Sequence, residues 1–336
     1  MMDKIYVWLV VLAVIAGVSC SGGGGTSMPG PTSASAVAPK ATAAPDTDDW
    51  EKMELDERGI PKLTGHELTV FKDSMYITGG ALEKGFNDKV FYTVTGAAWI
   101  PAKTDIKIIP GKGHAGAVWK EKLYLSGGMT VKEKKPLYSD KVFSTANGLS
   151  WTAKPGGFPG RAGHVMFAYK NSVYIHGGTG EKGILNDVWH MNSYGKWSKK
   201  KSKKENPGLT GHSVLVFRGN AYIIGGDNGG QKTNKIYISE NGVDWNVLTA
   251  SAAFKPRSGH SAYVFKERMW ITGGQGNDGE YYNDIFWSVN GYDWVTASAK
   301  APFPPRKNHA AGVHVNRVWL AGGENKDMLN DIWAGK

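Results

Sequence analysis

The sequence predicts an all-β protein, a ring of six four-stranded antiparallel blades, and three observations predict it. Six histidines, His66, His114, His164, His212, His260 and His309, each stand 13 residues before the first glycine of a Gly-Gly pair, the pairs opening at Gly79, Gly127, Gly177, Gly225, Gly273 and Gly322. Successive histidines lie 48, 50, 48, 48 and 49 residues apart, a period that suits a four-stranded propeller blade better than the generally shorter units of helical solenoids. No stretch of the repeating region carries a 3.6-residue apolar rhythm.

The N-terminal residues stand outside this ring. Residues 5–18 form an apolar run behind Lys4 that ends in Gly17-Val18-Ser19-Cys20, which reads as a secretory signal and is shorter than the roughly 20 residues of a membrane span. Cys20 is the single cysteine, so the mature chain forms no internal disulfide. A cysteine directly after a small residue resembles the lipobox of bacterial lipoproteins, although Gly17 stands where that family usually has leucine. The resemblance implies a signal peptide over residues 1–19, a lipidated Cys20 and attachment to a membrane of the bacterial cell envelope without spanning it. Ser21 lacks the aspartate that would resemble an inner-membrane retention signal, which favours the outer membrane. Residues 20–48 are rich in Gly, Ser, Pro, Ala and Thr and have little to bury, so they read as a flexible tether spanning about 30 Å on average. The folded domain is expected over residues 49–336.

The unit beginning at His164 shows the elements in order. His164 to Tyr169 is apolar on both faces of an extended chain, as an innermost strand between two neighbouring blades must be. Lys170-Asn171-Ser172 turns the chain into a second strand that ends at Gly177-Gly178; Asn186-Asp187-Val188-Trp189 begins the third, and Trp197 marks the fourth. In other units the third and fourth strands are joined by Asn147-Gly148, Asn241-Gly242 and Asn290-Gly291, pairs that favour a type I′ turn. Tryptophans follow at Trp99, Trp151, Trp197, Trp245 and Trp294, but the sixth unit has none. Residues 50–55, led by Trp50, are in register to supply that missing outer strand, so that N-terminal sequence closes the ring and removes an open edge.

Gly-His, hydrophobic-Gly-Gly, Asn-Asp-hydrophobic-aromatic and a later tryptophan together resemble the kelch repeat, over roughly residues 50–336. The resemblance implies a six-bladed kelch β-propeller closed by an N-terminal outer strand. Departures are Ser139 for asparagine, Lys235 for aspartate and Asn308 for the glycine before His309. In kelch propellers the segment before the histidine enters the innermost strand at the mouth of the channel. Arg161, Arg257 and Arg306 stand three residues before their histidines, with Lys62 and Lys112 nearby in two other units, so the resemblance implies a partial cationic ring there. Forked guanidinium donors suit a carboxylate, a phosphate or an acidic peptide. The same groups could instead bond the carbonyls and aspartates of their own loops.

Two further positions break the symmetry. Glu67 stands where other units have Ala115, Val165, Ser213, Ser261 or Ala310, and a lone carboxylate near the axis is a candidate acid or base. His176 replaces Thr78, Ser126, Ile224, Thr272 or Ala321 before the Gly-Gly pair and is a candidate ligand contact. One histidine per blade does not gather the three or four ligands a zinc ion needs, so no metal and no cofactor is expected. The net charge of +10 is uneven, with Lys196, Lys199, Lys200, Lys201, Lys203 and Lys204 in one cluster and Lys132, Lys134 and Lys135 in another. These lysines suit anionic lipid or polysaccharide, or keep an outer edge soluble; the export signal argues against nucleic acid.

The expected function is a membrane-tethered binding or scaffold protein that recognises an anionic glycan or an acidic protein segment through the loop face. Galactose oxidase resembles this chain in its kelch blades, but its copper site depends on a cysteine-tyrosine crosslink and the only cysteine here is Cys20. The alternative is a sugar-acid mutarotase or epimerase resembling the sialic acid mutarotases, with Glu67 and the arginines handling the sugar acid.

Overall fold

The computed structural model describes residues 49–55, 59–107 and 111–336, and in it the repeats become six four-stranded antiparallel sheets. The inner strands are Glu67–Phe71, Ala115–Trp119, Val165–Tyr169, Ser213–Phe217, Ser261–Phe265 and Ala310–His314. Each lies beside the next and the sixth beside the first, so they surround a central channel. Blade three shows the plan: Val165–Tyr169, Ser172–His176, Val188–Met191 and Trp197–Lys200 from the axis outward. No helix occurs among the described residues.

Core packing lies between blades, which is why the inner strands are apolar on both faces. Leu215, Phe217 and Tyr222 of blade four meet Met269, Ile271 and Phe286 of blade five; Ala115 and Trp119 of blade two meet Met166 and Ile175 of blade three. Each fully buried large side chain contributes about 1.5 to 3 kcal/mol relative to exposure.

The ring closes as the sequence suggests, with a shorter strand. Blade six takes Glu51–Lys52 from the far end of the chain, Glu51 opposite Ala334 and Lys52 opposite Trp333, and the Met53 N–H donates to the Ile332 carbonyl at 2.9 Å. Trp50 packs edge-on against Phe303 with centroids 5.2 Å apart, and a side chain on Gly335 would collide with its indole. Residues 1–48, with the expected signal, Cys20 and the tether, lie outside the described residues.

The third-to-fourth turns differ from the expectation. Gly148, Gly242 and Gly291 have positive φ but their asparagines do not. The Asn147 side-chain oxygen instead accepts the N–H groups of Leu149 and Ser150 at 2.9 and 2.8 Å, an arrangement repeated at Asn241 and Asn290. Paired positive φ angles occur instead between first and second strands, at Lys120-Glu121, Lys170-Asn171, Lys266-Glu267 and Val315-Asn316, where two-residue turns match the twist of their hairpins.

Candidate functional site

At the end where the inner strands begin, His66, His164, His212, His260 and His309 are each locked between two glycine pairs. A Cβ on Gly178, the second glycine of its own blade, would come within 2.7 Å of the His164 Cβ, and one on Gly127 of the preceding blade within 2.5 Å of its Cε1. His212, His260 and His309 are gripped in the same way, so the 13-residue interval records a physical contact. Three rings also bond the residue before the preceding Gly-Gly pair: His114 with Thr78 at 3.1 Å, His164 with Ser126 at 2.9 Å, and His212 with the Nδ1 of His176 at 3.1 Å. Burial lowers the pKa of all six, to about 4 for His66 and about 3 for His114 and His260, so they stay neutral. His176 is wholly buried, with its pKa lowered to about 3 by burial first and Arg161 second. The expectation that it contacts a ligand is corrected: it is a junction residue, held edge-on against His212 and Trp245.

A backbone collar completes this end. Gly65, Gly113, Gly163, Gly211, Gly259 and Asn308 all have positive φ, and the N–H of each donates to the carbonyl of its counterpart in the preceding blade at 2.7 to 2.9 Å, all the way round. A Cβ on Gly113 would sit 3.0 Å from the Gly163 nitrogen, so the close approach requires glycine. Asn308 is tolerated with its side-chain amide bonded to Glu324 at 2.9 Å.

The arginines belong to this buried framework, which corrects the expected ring at the channel mouth. Arg161, Arg257 and Arg306 are 0% exposed. Each Nε donates to the carbonyl two residues earlier, and each Nη1 donates to the carbonyl of the blade's first paired glycine. The fork then closes on Asp187, Asp284 or Asp331 at 2.5 to 3.0 Å, leaving none turned to solvent. Burial raises the pKa of Asp187 and Asp331, but the bonds and charge of their arginines outweigh it and hold both carboxyls below the usual range. Lys62 is exposed and pairs with Glu83 at 3.1 Å, and Lys112 is exposed beside the collar; neither joins the arginines in a common site.

Inside the collar the channel holds a cavity of about 250 Å³ lined by the histidines and the first residues of the inner strands, Glu67 being the one carboxylate among them. Gly116 makes room for it, since a Cβ there would lie 3.1 Å from the Glu67 Cγ. Among the described residues no donor bonds the carboxylate, and burial pushes its pKa up to about 8. It can therefore gain or lose a proton near neutrality.

The opposite end, where the inner strands finish, carries a feature that the sequence reading missed. The first-to-second turns present Lys72, Lys120, Lys170, Arg218 and Lys266, all exposed and all with φ between 41 and 53°; Val315 takes the sixth place. Each cation lies over the aromatic ring that ends its inner strand: Phe71 at 5.4 Å, Trp119 at 4.5 Å, Tyr169 at 5.4 Å, Phe217 at 4.9 Å and Phe265 at 5.2 Å. Such contacts are worth about 0.5 to 1 kcal/mol at exposed sites and hold the charge in place. The signal is in the sequence, an aromatic-basic pair whose cation comes six residues after each of the first five histidines. Exposed apolar side chains share this end, among them Tyr194 at 93% and Tyr292 at 58%.

Comparison with known proteins agrees with this architecture. The family model of the KLHDC2/KLHL20/DRC7 Kelch-repeats domain matches residues 23–207 and 194–335. The leucine-zipper-like transcriptional regulator 1 homolog of Drosophila melanogaster is 27% identical over 178 residues, covering 50% of this chain but only 18% of that protein. A solved structure described as "Structure of YjhT" superposes with a TM-score of 0.67 at 18% identity, over 82% of this chain and 95% of that one. That likeness is one of fold.

Proposed function

Since the chain belongs to the kelch-repeat family, we propose that it is a binding module whose turn-bearing face takes an acidic partner, an anionic glycan or an acidic protein segment. The cation ring carries this reading: five positive side chains surround one end of the channel, on a scaffold whose inner strands fix their spacing. Asp73, Glu121 and Glu267 alternate with Lys72, Lys120 and Lys266, which favours a partner with spaced acidic groups over a uniformly charged polymer.

Replacing Lys72, Lys170, Arg218 and Lys266 by alanine should weaken binding of an oligoglutamate peptide about tenfold or more, and the loss should shrink with added salt. Lys199→Ala with Lys201→Ala, on and beside the outer strand of blade three, should change affinity little. A larger effect from the outer lysines would move the site to the flank. The same proposal holds the propeller at a bacterial membrane surface through lipid on Cys20, a reading supported by the lipobox resemblance; Cys20→Ser should shift the protein from the detergent phase to the aqueous phase.

A second reading, the sugar-acid mutarotase, draws support from Glu67 alone, a carboxylate with a pKa near neutrality inside a cavity. The buried arginines are not available to hold its substrate. Accelerated anomer exchange by NMR, abolished by Glu67→Gln, would favour it over simple binding.

A further inference from the structure

Blade three departs from its neighbours at one turn, and the departure opens a cleft. In blades one, two, four and five the third-to-fourth connection begins with a hydroxyl, Thr93, Thr145, Ser239 or Ser288, whose oxygen accepts the N–H of a turn glycine at 2.8 or 2.9 Å. That bond folds the turn over the preceding blade. A Cβ on Gly96, Gly148, Gly242 or Gly291 would press on Trp319, Tyr76, Tyr174 or Leu248.

Blade three has Met191 in place of the hydroxyl. A thioether is a poor acceptor, and the turn closes on Asn192 instead, whose side-chain oxygen takes the N–H groups of Tyr194 and Lys196 at 3.0 Å each. The turn then stands away from blade two: Tyr194, at the position that Gly96, Gly148, Gly242 and Gly291 hold in the other blades, is 93% exposed. Two aromatic rings buried in the other blades are left uncovered. Tyr124 is only partly buried, whereas Tyr76, Tyr174, Tyr222, Trp270 and Trp319 at the same register are buried. Trp197 is likewise partly buried, whereas Trp99, Trp151, Trp245 and Trp294 are buried.

The space between blades two and three is about 530 Å³, within the roughly 300 to 1,000 Å³ of small-ligand sites. Trp119, Tyr124, Tyr194 and Trp197 give it aromatic walls, and the hydroxyls of Ser144 and Thr152 line it. Lys120, Lys122 and Lys154 stand on its rim, and among the described residues no carboxylate lines it and none of the three is in an ion pair.

We propose that this cleft binds an acidic saccharide, a sugar carrying a carboxylate or sulfate. The inference rests on the reading of the turn face as an acidic-partner surface and names the ligand class for one part of it. A pyranose ring offers an apolar C–H face to the indole and phenol rings, hydroxyls to Ser144 and Thr152, and an anion to the lysines. An acidic peptide fits less well, because its backbone amides would lie against Val142, Met191 and Pro155, where they would lose water without gaining partners.

Calorimetry on the full chain tests it with tri-galacturonate and its sulfated counterpart, the neutral methyl ester of tri-galacturonate, and hexaglutamate. One acidic saccharide should bind about tenfold or more tighter than the ester and the peptide. Tyr194→Ser with Lys154→Ala, both at exposed side chains, should weaken it about tenfold. Replacing residues 192–196 by the sequence of residues 289–293, together with Met191→Ser, should restore the cover and abolish binding. Alanine at Lys72, Lys170, Arg218 and Lys266 should leave this titration within about twofold. Binding of neither acidic saccharide, equal binding of the ester, preference for the peptide, or indifference to the cleft variants would each overturn the proposal. Loss in the ring variant alone would leave the broader reading standing and this one refuted.

Discussion

At the collar end of the propeller six nearly identical units interlock: neutral histidines between glycine pairs, a closed circle of backbone bonds, and arginines sealed against aspartates. At the turn end the same strands finish in exposed lysines, free aromatic rings and one blade whose turn breaks the rule of the others. Repetition marks the end where a residue must satisfy the next blade as well as its own, and variation marks the end that faces solvent. Buried polar groups cost free energy unless paired, so the collar end tolerates little change, while the turn end is open to it.

Acid should break this contrast with the largest effect. The unfolded chain takes up protons on its imidazoles near pH 6.5, whereas the folded chain resists until about pH 4 at His66 and about 3 at His114, His176 and His260. The histidine contribution to stability is therefore full above pH 6.5 and falls below it, by about 1.4 kcal/mol per pH unit for each such histidine. Together the four lose about 11 kcal/mol within about two units, comparable to the roughly 5 to 15 kcal/mol of a typical domain, so tryptophan fluorescence should report cooperative unfolding between about pH 6 and 4. Glu67 acts in the opposite sense: its raised pKa stabilises the fold fully below about 4.5, and that contribution is lost as pH rises through about 8. Glu67→Gln should flatten the decline between pH 6.5 and 8 by about 1 kcal/mol, channel water softening the effect.

Deleting one cation at each end should have unequal consequences. Arg257→Ala leaves Asp284 partly buried without its partner and should cost about 3 to 5 kcal/mol in denaturant unfolding. Lys266→Ala removes an exposed charge and should stay within about 0.5 kcal/mol apart from its small cation–π loss. Comparable losses would mean that the turn cations are structural.

The smallest expected effect separates two left-handed glycines. Gly113→Ala forces a Cβ to 3.0 Å from the Gly163 nitrogen in addition to its φ of 67°, and should cost about 2 to 3 kcal/mol. Gly195→Ala, in open space at a φ of 79°, should cost about 1 kcal/mol, the conformational part alone. Equal melting temperatures for the two variants would show that the collar yields to accommodate a side chain.

The number of blades, the order of strands within each and the donation of an outer strand by residues near Trp50 are legible in the amino-acid order alone, because they follow from periodic contacts that every unit repeats. The same order also held the arginine clamp in latent form: Asp187, Asp284 and Asp331 stand about 25 residues after Arg161, Arg257 and Arg306, although Asp88 and Asp140 hold the same motif position in blades that carry Leu63 and Gly111 in place of the arginine. That these arginines face inward emerges from the packed fold, since a guanidinium group at a strand entrance can turn to a ligand or to its own loop, and the choice depends on where the aspartate some 25 residues later returns. The cation ring and the blade-three cleft were out of reach for a related reason. A lysine after an aromatic residue, or a methionine in place of serine, gains meaning only when the fold sets five such turns around one axis and leaves one neighbouring blade uncovered.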